Sequence, residues 1–150
     1  VGDYRFNRGE IGFFTSPNRP FNVGGSVGVG EFFDGTRQDY SIQFGWRPSS
    51  NFSTNFEIEQ NQIDLPAGKF INRLARLRLN VFFTPDLSWT TFVQYDNVSE
   101  TAGINSRLRW ITTPGNEFFF VLNQGFNATS SHISSTFTEL TTKAGWTIRF

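Results

Sequence analysis

The sequence predicts an all-β fold: an antiparallel, up-and-down transmembrane β-barrel of about eight strands, whole or as a portion of a larger barrel. Three observations predict it. Apolar and polar residues alternate with a period of two along most of the 150 residues. Short, Pro-bearing turns alternate with longer polar connections. Aromatic side chains, 17% of the chain, gather beside the turns instead of at mid-strand.

The elements follow in order. Between Tyr4 and Phe14 the pattern is poor, because Arg8 and Glu10 share a parity with Tyr4 and Phe6. Residues 1–20 are therefore an N-terminal segment or a poorly patterned extra strand, and 21–150 carry the barrel strands. Phe21, Val23, Val27, Val29 and Phe33 alternate with the small set Asn22, Gly24, Ser26, Gly28 and Gly30. Here curvature is favoured over close approach of another segment as the use of Gly24, Gly28 and Gly30. Tyr40, Ile42, Phe44 and Trp46 oppose Ser41, Gln43 and Gly45. Phe52, Phe56 and Ile58 oppose Ser53, Asn55, Glu57 and Glu59. The clearest strand sets Ile71, Ala75, Leu77, Leu79, Val81 and Phe83 against Asn72, Arg76, Arg78 and Asn80. Leu87, Trp89, Val93 and Tyr95 then face away from Ser88, Thr90, Gln94 and Asp96. Ile104, Leu108 and Trp110 oppose Asn105, Arg107 and Arg109; Phe118, Phe120 and Leu122 continue the template. The chain closes with Leu140, Ala144, Trp146, Ile148 and Phe150 against Glu139, Thr141, Lys143, Thr147 and Arg149.

Connections at 15–20, 48–50, 84–86 and 112–116 are short and each carries Pro, while 61–69, 97–102 and 127–136 read as longer polar loops. Successive turns of a meander fall at opposite ends, so the barrel has distinct poles. Trp46, Phe52, Phe83, Trp89, Trp110 and Phe118 lie beside the short turns and form one aromatic girdle. Phe33, Tyr40, Phe70, Tyr95 and Phe137 imply a second. Aromatic rings concentrate at the headgroup layer of a bilayer, whereas a soluble sandwich hides Trp at mid-strand. A mean hydropathy of -0.33 is compatible with this reading, because only alternate residues of a barrel strand meet hydrocarbon.

Composition excludes other classes. Thirteen basic and thirteen acidic residues cancel, which removes the electrostatic footprint of a general nucleic-acid binder. No Cys is present, so disulfide scaffolds, thiolate metal sites and Cys nucleophiles are excluded. The longest apolar run, Phe118 to Leu122, is far short of the roughly 20 residues of a membrane-spanning helix. The start lacks Met and a basic-then-apolar leader, so a mature form or a portion of a longer chain is expected. His132, the one histidine, lies in a Ser- and Thr-rich stretch without companions for a zinc site or a triad. No cofactor or metal site and no catalytic residue is expected.

The last strand, Trp146-Thr-Ile148-Arg-Phe150, resembles the C-terminal signal by which bacterial barrel-assembly machinery recognises outer-membrane proteins. Gln94-Tyr-Asp96, Asn105-Ser-Arg-Leu-Arg-Trp110, and Pro114-Gly115 followed by Phe119-Phe-Val-Leu-Asn123 look like the C-terminal β-barrel region of a bacterial outer-membrane family of unknown function. The Leu65-Pro-Ala-Gly-Lys-Phe70 segment, Leu77-Arg-Leu79 and Phe32-Phe-Asp-Gly35 extend that similarity over nearly the whole chain. Members commonly carry a family-9-type carbohydrate-binding domain ahead of the barrel and are several times longer. The resemblance therefore implies a bacterial outer-membrane location, a C-terminus on the periplasmic side, and a glycan partner reached through an upstream domain. It implies no reaction.

The polar face is expected to line the lumen with Glu57, Glu59, Arg76, Arg78, Asp96, Arg107, Arg109, Glu139, Lys143 and Arg149. Antiparallel pairing would oppose Glu57 and Glu59 to Arg76 and Arg78, and Arg107 and Arg109 to the strand of Asp96. Salt-bridge ladders filling a narrow barrel are the favoured reading; lining an anion-preferring pore is the sharper one. Two competing functions stay open: a soluble β-barrel binding a hydrophobic ligand, and a membrane-embedded envelope hydrolase using Glu57 and Glu59. These carboxylates would lie about 7 Å apart on one strand face, a nonspecific spacing. Nearby arginines favour two charged carboxylates, whereas acid catalysis needs one neutral.

Overall fold

The computed structural model describes residues 6–129 and 132–147. They form nine strands: β1 (Arg8–Phe14), β2 (Phe21–Phe32), β3 (Gly35–Ser49), β4 (Phe52–Leu65), β5 (Gly68–Thr84), β6 (Leu87–Asp96), β7 (Thr101–Thr113), β8 (Asn116–Thr129) and β9 (His132–Trp146). Each strand pairs antiparallel with its sequence neighbour, giving one up-and-down sheet in the order β1 to β9. The sheet is open, with β1 and β9 as its edges. Among the described residues no helix is long and apolar enough to cross a membrane, which says nothing of strands.

The ninth strand is β1, the segment whose pattern looked interrupted. Arg8 and Glu10 do not break its alternation. They lie opposite Gly30 and Gly28 on the polar side, while Ile11 and Phe13 lie opposite Val27 and Gly25 on the apolar side.

The expected long loops are mostly strand. Asn61, Gln62 and Asp64 belong to β4 and pair with Asn72, Ile71 and Lys69 of β5, leaving only Pro66 and Ala67 as the turn. Backbone ladder bonds need no apolar side chain, and a Lys69 Nζ–Asp64 Oδ2 ion pair of 2.6 Å fastens the same rung. The connection after β6 shrinks to 97–100, and β8 and β9 run to Thr129 and from His132, so His132 begins a strand instead of lying in a loop. Of the turns, Phe33 and Glu100 take positive φ, as does Gly115 after Pro114.

At the opposite pole, the β3–β4, β5–β6 and β7–β8 hairpins each carry a register shift, at Trp46/Ser49, Phe82/Thr84 and Ile111/Thr113. Pro48 falls inside the first of these and not in the turn itself, which is Ser50–Asn51. An irregularity of the ladder is where a residue without an N–H is tolerated.

Register sorts the side chains into two faces. One row of the apolar face runs Val23, Phe44, Phe56, Leu77, Val93 and Ile104 across β2 to β7. The opposite face carries the charges. All five buried residues among those described, Gly24, Gly28, Gly45, Ile63 and Gly125, lie on the charged face, which is the more shielded side. The apolar face is open: Ile42 is 60% exposed and Leu140 73%. Ile63 is the one buried hydrophobic residue among those described. The chain exposes 10780 Å², against about 7,700 Å² for a compact globular protein of its mass. A second layer over either face is absent among the described residues.

Candidate functional site

The charged face is the candidate site, and its ion pairs follow from register. Glu57 lies opposite Arg76, and Glu59 one step further along β4 points the same way. The Arg76 Nη1 donates to both carboxylates, at 3.1 Å to Glu57 and 2.8 Å to Glu59. The three side chains are about one-third exposed or less than that for Arg76, so this is a half-shielded triad. Arg78 does not join it. Its register partner is Asn55, and its guanidinium lies over the Phe92 ring, 5.5 Å from the centroid.

The expected pairing of Arg107 and Arg109 with Asp96 does not form, because antiparallel register puts Asp96 at the far end of the β6–β7 pair, opposite Thr101. Asp96 instead caps the turn, accepting from the Val98 N–H at 2.8 Å and from Ser99. Arg109 donates through Nε and Nη2 to Glu117 Oε2, at 3.0 and 2.8 Å. Arg107 lies over Phe119 at 6.0 Å. Glu139 accepts from Asn123, whose own carbonyl accepts from Asn105 at 2.5 Å. Lys143 shares the face, opposite Phe119. Arg149 lies outside the described residues, as do Ile148 and Phe150 of the C-terminal signal.

A second ionic group, at the β1 edge, was not foreseen. Arg8 reaches across β2 to Asp39 of β3, Nη2 to Oδ2 at 2.9 Å, and Arg37 Nε holds the other oxygen at 2.6 Å. Gly28 makes the crossing feasible: it lies between the two strands in register, and a Cβ there would sit 3.2 Å from the Arg8 Nη2. Gly24 is covered in the same way by the Phe14 ring, and Gly125 by the ring of Phe137. The close approach at these glycines comes from neighbouring strands' own side chains. Asp39 continues the parity of Ser41 and Gln43, so extending that alternation upstream would have found it.

The aromatic residues at the short-turn pole form rows on the apolar face. Phe21 opposes Trp46, whose ring meets Phe52 at 5.8 Å. Trp110, Phe118 and Trp146 make a continuous series, at 6.1 and 5.7 Å. Trp146, assigned from sequence to the assembly signal, thus also completes the row. Trp89 donates its indole N–H to Ser106, which exchanges a hydrogen bond with Thr91 at 3.0 Å. Phe83 falls within the bulge that ends β5.

At the other pole only Tyr40 and Tyr95 of the expected girdle lie on the apolar face. Phe70 pairs with Ile63 on the charged face, Phe137 covers Gly125, and Phe33 occupies the β2–β3 turn. The faces exchange character there: Gln60, Gln62, Asp64, Lys69 and Arg73 continue the apolar face, while Ile63, Leu65, Phe70 and Leu74 continue the charged one. A parity count over aromatics alone misses this exchange.

Among the described residues no group of three metal-ligating side chains is present. No protein-family model and no curated protein matches the chain.

Proposed function

We propose that this sheet is the wall of a bacterial outer-membrane β-barrel, serving as membrane anchor or pore and forming the C-terminal part of a larger carbohydrate-associated protein. The observation that carries the reading is the unlayered apolar face, edged by aromatic rows at one pole and by tyrosines at the other. Water would leave that surface unpaid for, whereas acyl chains stabilise it. From Leu87 to Tyr95 the face runs about 26 Å along β6, or about 20 Å along the normal at a 40° tilt, near the ~25 Å apolar band of such barrels. At the middle of this face the Ser106 and Thr91 hydroxyls hydrogen-bond each other, an arrangement that a hydrocarbon surrounding favours.

The two open edges fit the same reading. Unpaired backbone groups do not persist in hydrocarbon, so β1 and β9 must pair with each other or with further strands. The nine strands among the described residues are an odd number and bacterial single-chain barrels have even ones, which favours further strands. The link to carbohydrate and to the barrel-assembly machinery rests on the sequence resemblance alone. A soluble barrel around a hydrophobic ligand is disfavoured, since it needs an apolar interior and only Ile63 is a buried hydrophobic residue among those described.

Envelope fractionation followed by unboiled gel electrophoresis tests the proposal. The protein is expected to partition with outer membranes, to need detergent for extraction, and to change mobility on boiling. A monodisperse monomer in plain buffer, with one mobility before and after heating, would refute it.

A further inference from the structure

Arginines on the charged face fall into two groups. Arg8, Arg37, Arg76 and Arg109 each hold a carboxylate within ion-pairing distance. Arg78 and Arg107, among the described residues, hold none; each lies over a phenylalanine ring, as the paired Arg37 and Arg109 also do. Register puts these two on one patch. Arg78, Phe92 and Asn105 form one rung across β5, β6 and β7, and Asn80, Thr90 and Arg107 form the next. Two strand spacings and one step along the pleat separate the arginine Cα atoms by roughly 12 Å, within joint reach of two guanidinium arms. The same six residues line a single cavity of ≈ 470 Å³.

We propose that Arg78 and Arg107 form a binding station for the oxyanion of a small solute, a carboxylate or a phosphate group. The reasons are chemical. A guanidinium presents a planar fork of donors that matches an oxyanion in bidentate fashion. Resting that fork on a ring restrains a flexible arm while leaving its N–H edge open, so little freedom is lost on binding. The acid nearest Arg78, Glu57, is already committed to Arg76, and the acid nearest Arg107 in register, Glu139, accepts from Asn123. The floor is also fixed: Asn80 donates to Ser53 and accepts from Thr90, both at 3.1 Å, and Asn105 donates to Asn123. Two uncompensated positive charges exclude cations from this cavity and admit anions. The volume suits a sugar acid or a phosphorylated solute of similar size. The station deepens the proposed function only in requiring that water reach this face.

The test follows the arginine Nε–H resonances of the full chain, folded in micelles, during titration with inorganic phosphate and, separately, with glucuronate. Saturable shifts confined to Arg78 and Arg107 are expected with at least one probe. Tighter response to glucuronate assigns a carboxylated solute, and tighter response to phosphate a phosphorylated one. Arg78→Gln or Arg107→Gln should weaken the response by about tenfold, and the double variant should abolish saturation. Arg107→Lys, which keeps the charge and loses the fork, should fall between wild type and Arg107→Gln. Circular dichroism of each variant confirms that the sheet is retained. Shifts that grow linearly without saturation, or a double variant that titrates like wild type, would overturn the station. Because the titration reads binding, it is separate from conductance and localisation: a protein folded in plain buffer would refute the membrane proposal yet give the same titration.

Discussion

Replacing Leu77 with Arg is expected to lower the stability of the membrane-folded protein by about 2–4 kcal/mol, the cost of a cation at mid-depth on the lipid face of a barrel. Leu77 lies between Phe56 and Val93 in the middle of the apolar row, two residues along β5 from Leu79, which faces the same way and lies opposite Thr91. No carboxylate shares that part of the face, so the guanidinium has no partner to offset its desolvation. A matched charge on the other face should behave differently. Ser41→Lys puts a cation opposite Glu59 on the charged side, where a change within about 1 kcal/mol is expected. Equilibrium unfolding in lipid vesicles compares the two. Equal cost at both positions would mean that the faces do not meet different solvents.

Replacing Arg76 with Met is the second large perturbation, expected to cost about 1–3 kcal/mol. One guanidinium serves two carboxylates two residues apart on β4, and its loss leaves Glu57 and Glu59 facing each other without a cation. Arg78 cannot substitute, since its register position is a rung away and its guanidinium is held over Phe92. Adding Glu57→Gln and Glu59→Gln to Arg76→Met removes the repulsion, so the triple variant should recover most of the loss. The interaction energy of that cycle is the measured quantity. A triple variant as unstable as Arg76→Met would show that packing of the arginine stem, not its charge, is what stabilises the rung.

The faces and most of the strands were legible because period-two alternation encodes them directly. The run from Ile71 to Phe83 becomes β5 with Arg76 and Arg78 on the opposite side from Leu77 and Leu79, as its pattern requires. Three things were not legible. Polar strand ends such as Gln60 to Asp64 resemble loops in composition, although their backbone pairing is uninterrupted through Leu65 and Gly68. Partner identity depends on register, which parity does not contain: Asp96 and Arg109 share a face yet lie at opposite ends of β6 and β7. The arginine over a ring was hidden because Phe92 falls among Thr90 and Gln94 on the charged face, where alternation reserves no place for an aromatic. Likewise Arg8 seemed to interrupt a strand, and its use emerges only when Gly28 and Asp39 stand beside it.

The orientation of the apolar face towards acyl chains is the central claim, and a site-directed spin-label scan of β6 tests it most directly. The protein has no native cysteine, so single Cys variants from Leu87 to Asp96 can be labelled one at a time and placed in lipid vesicles. The account predicts a two-residue period: labels at 89, 91, 93 and 95 are relaxed by membrane-dissolved oxygen, and those at 88, 90, 92 and 94 are not. A water-soluble relaxation agent reaching 91 and 93, or both agents excluded from them as in a packed protein core, would contradict it.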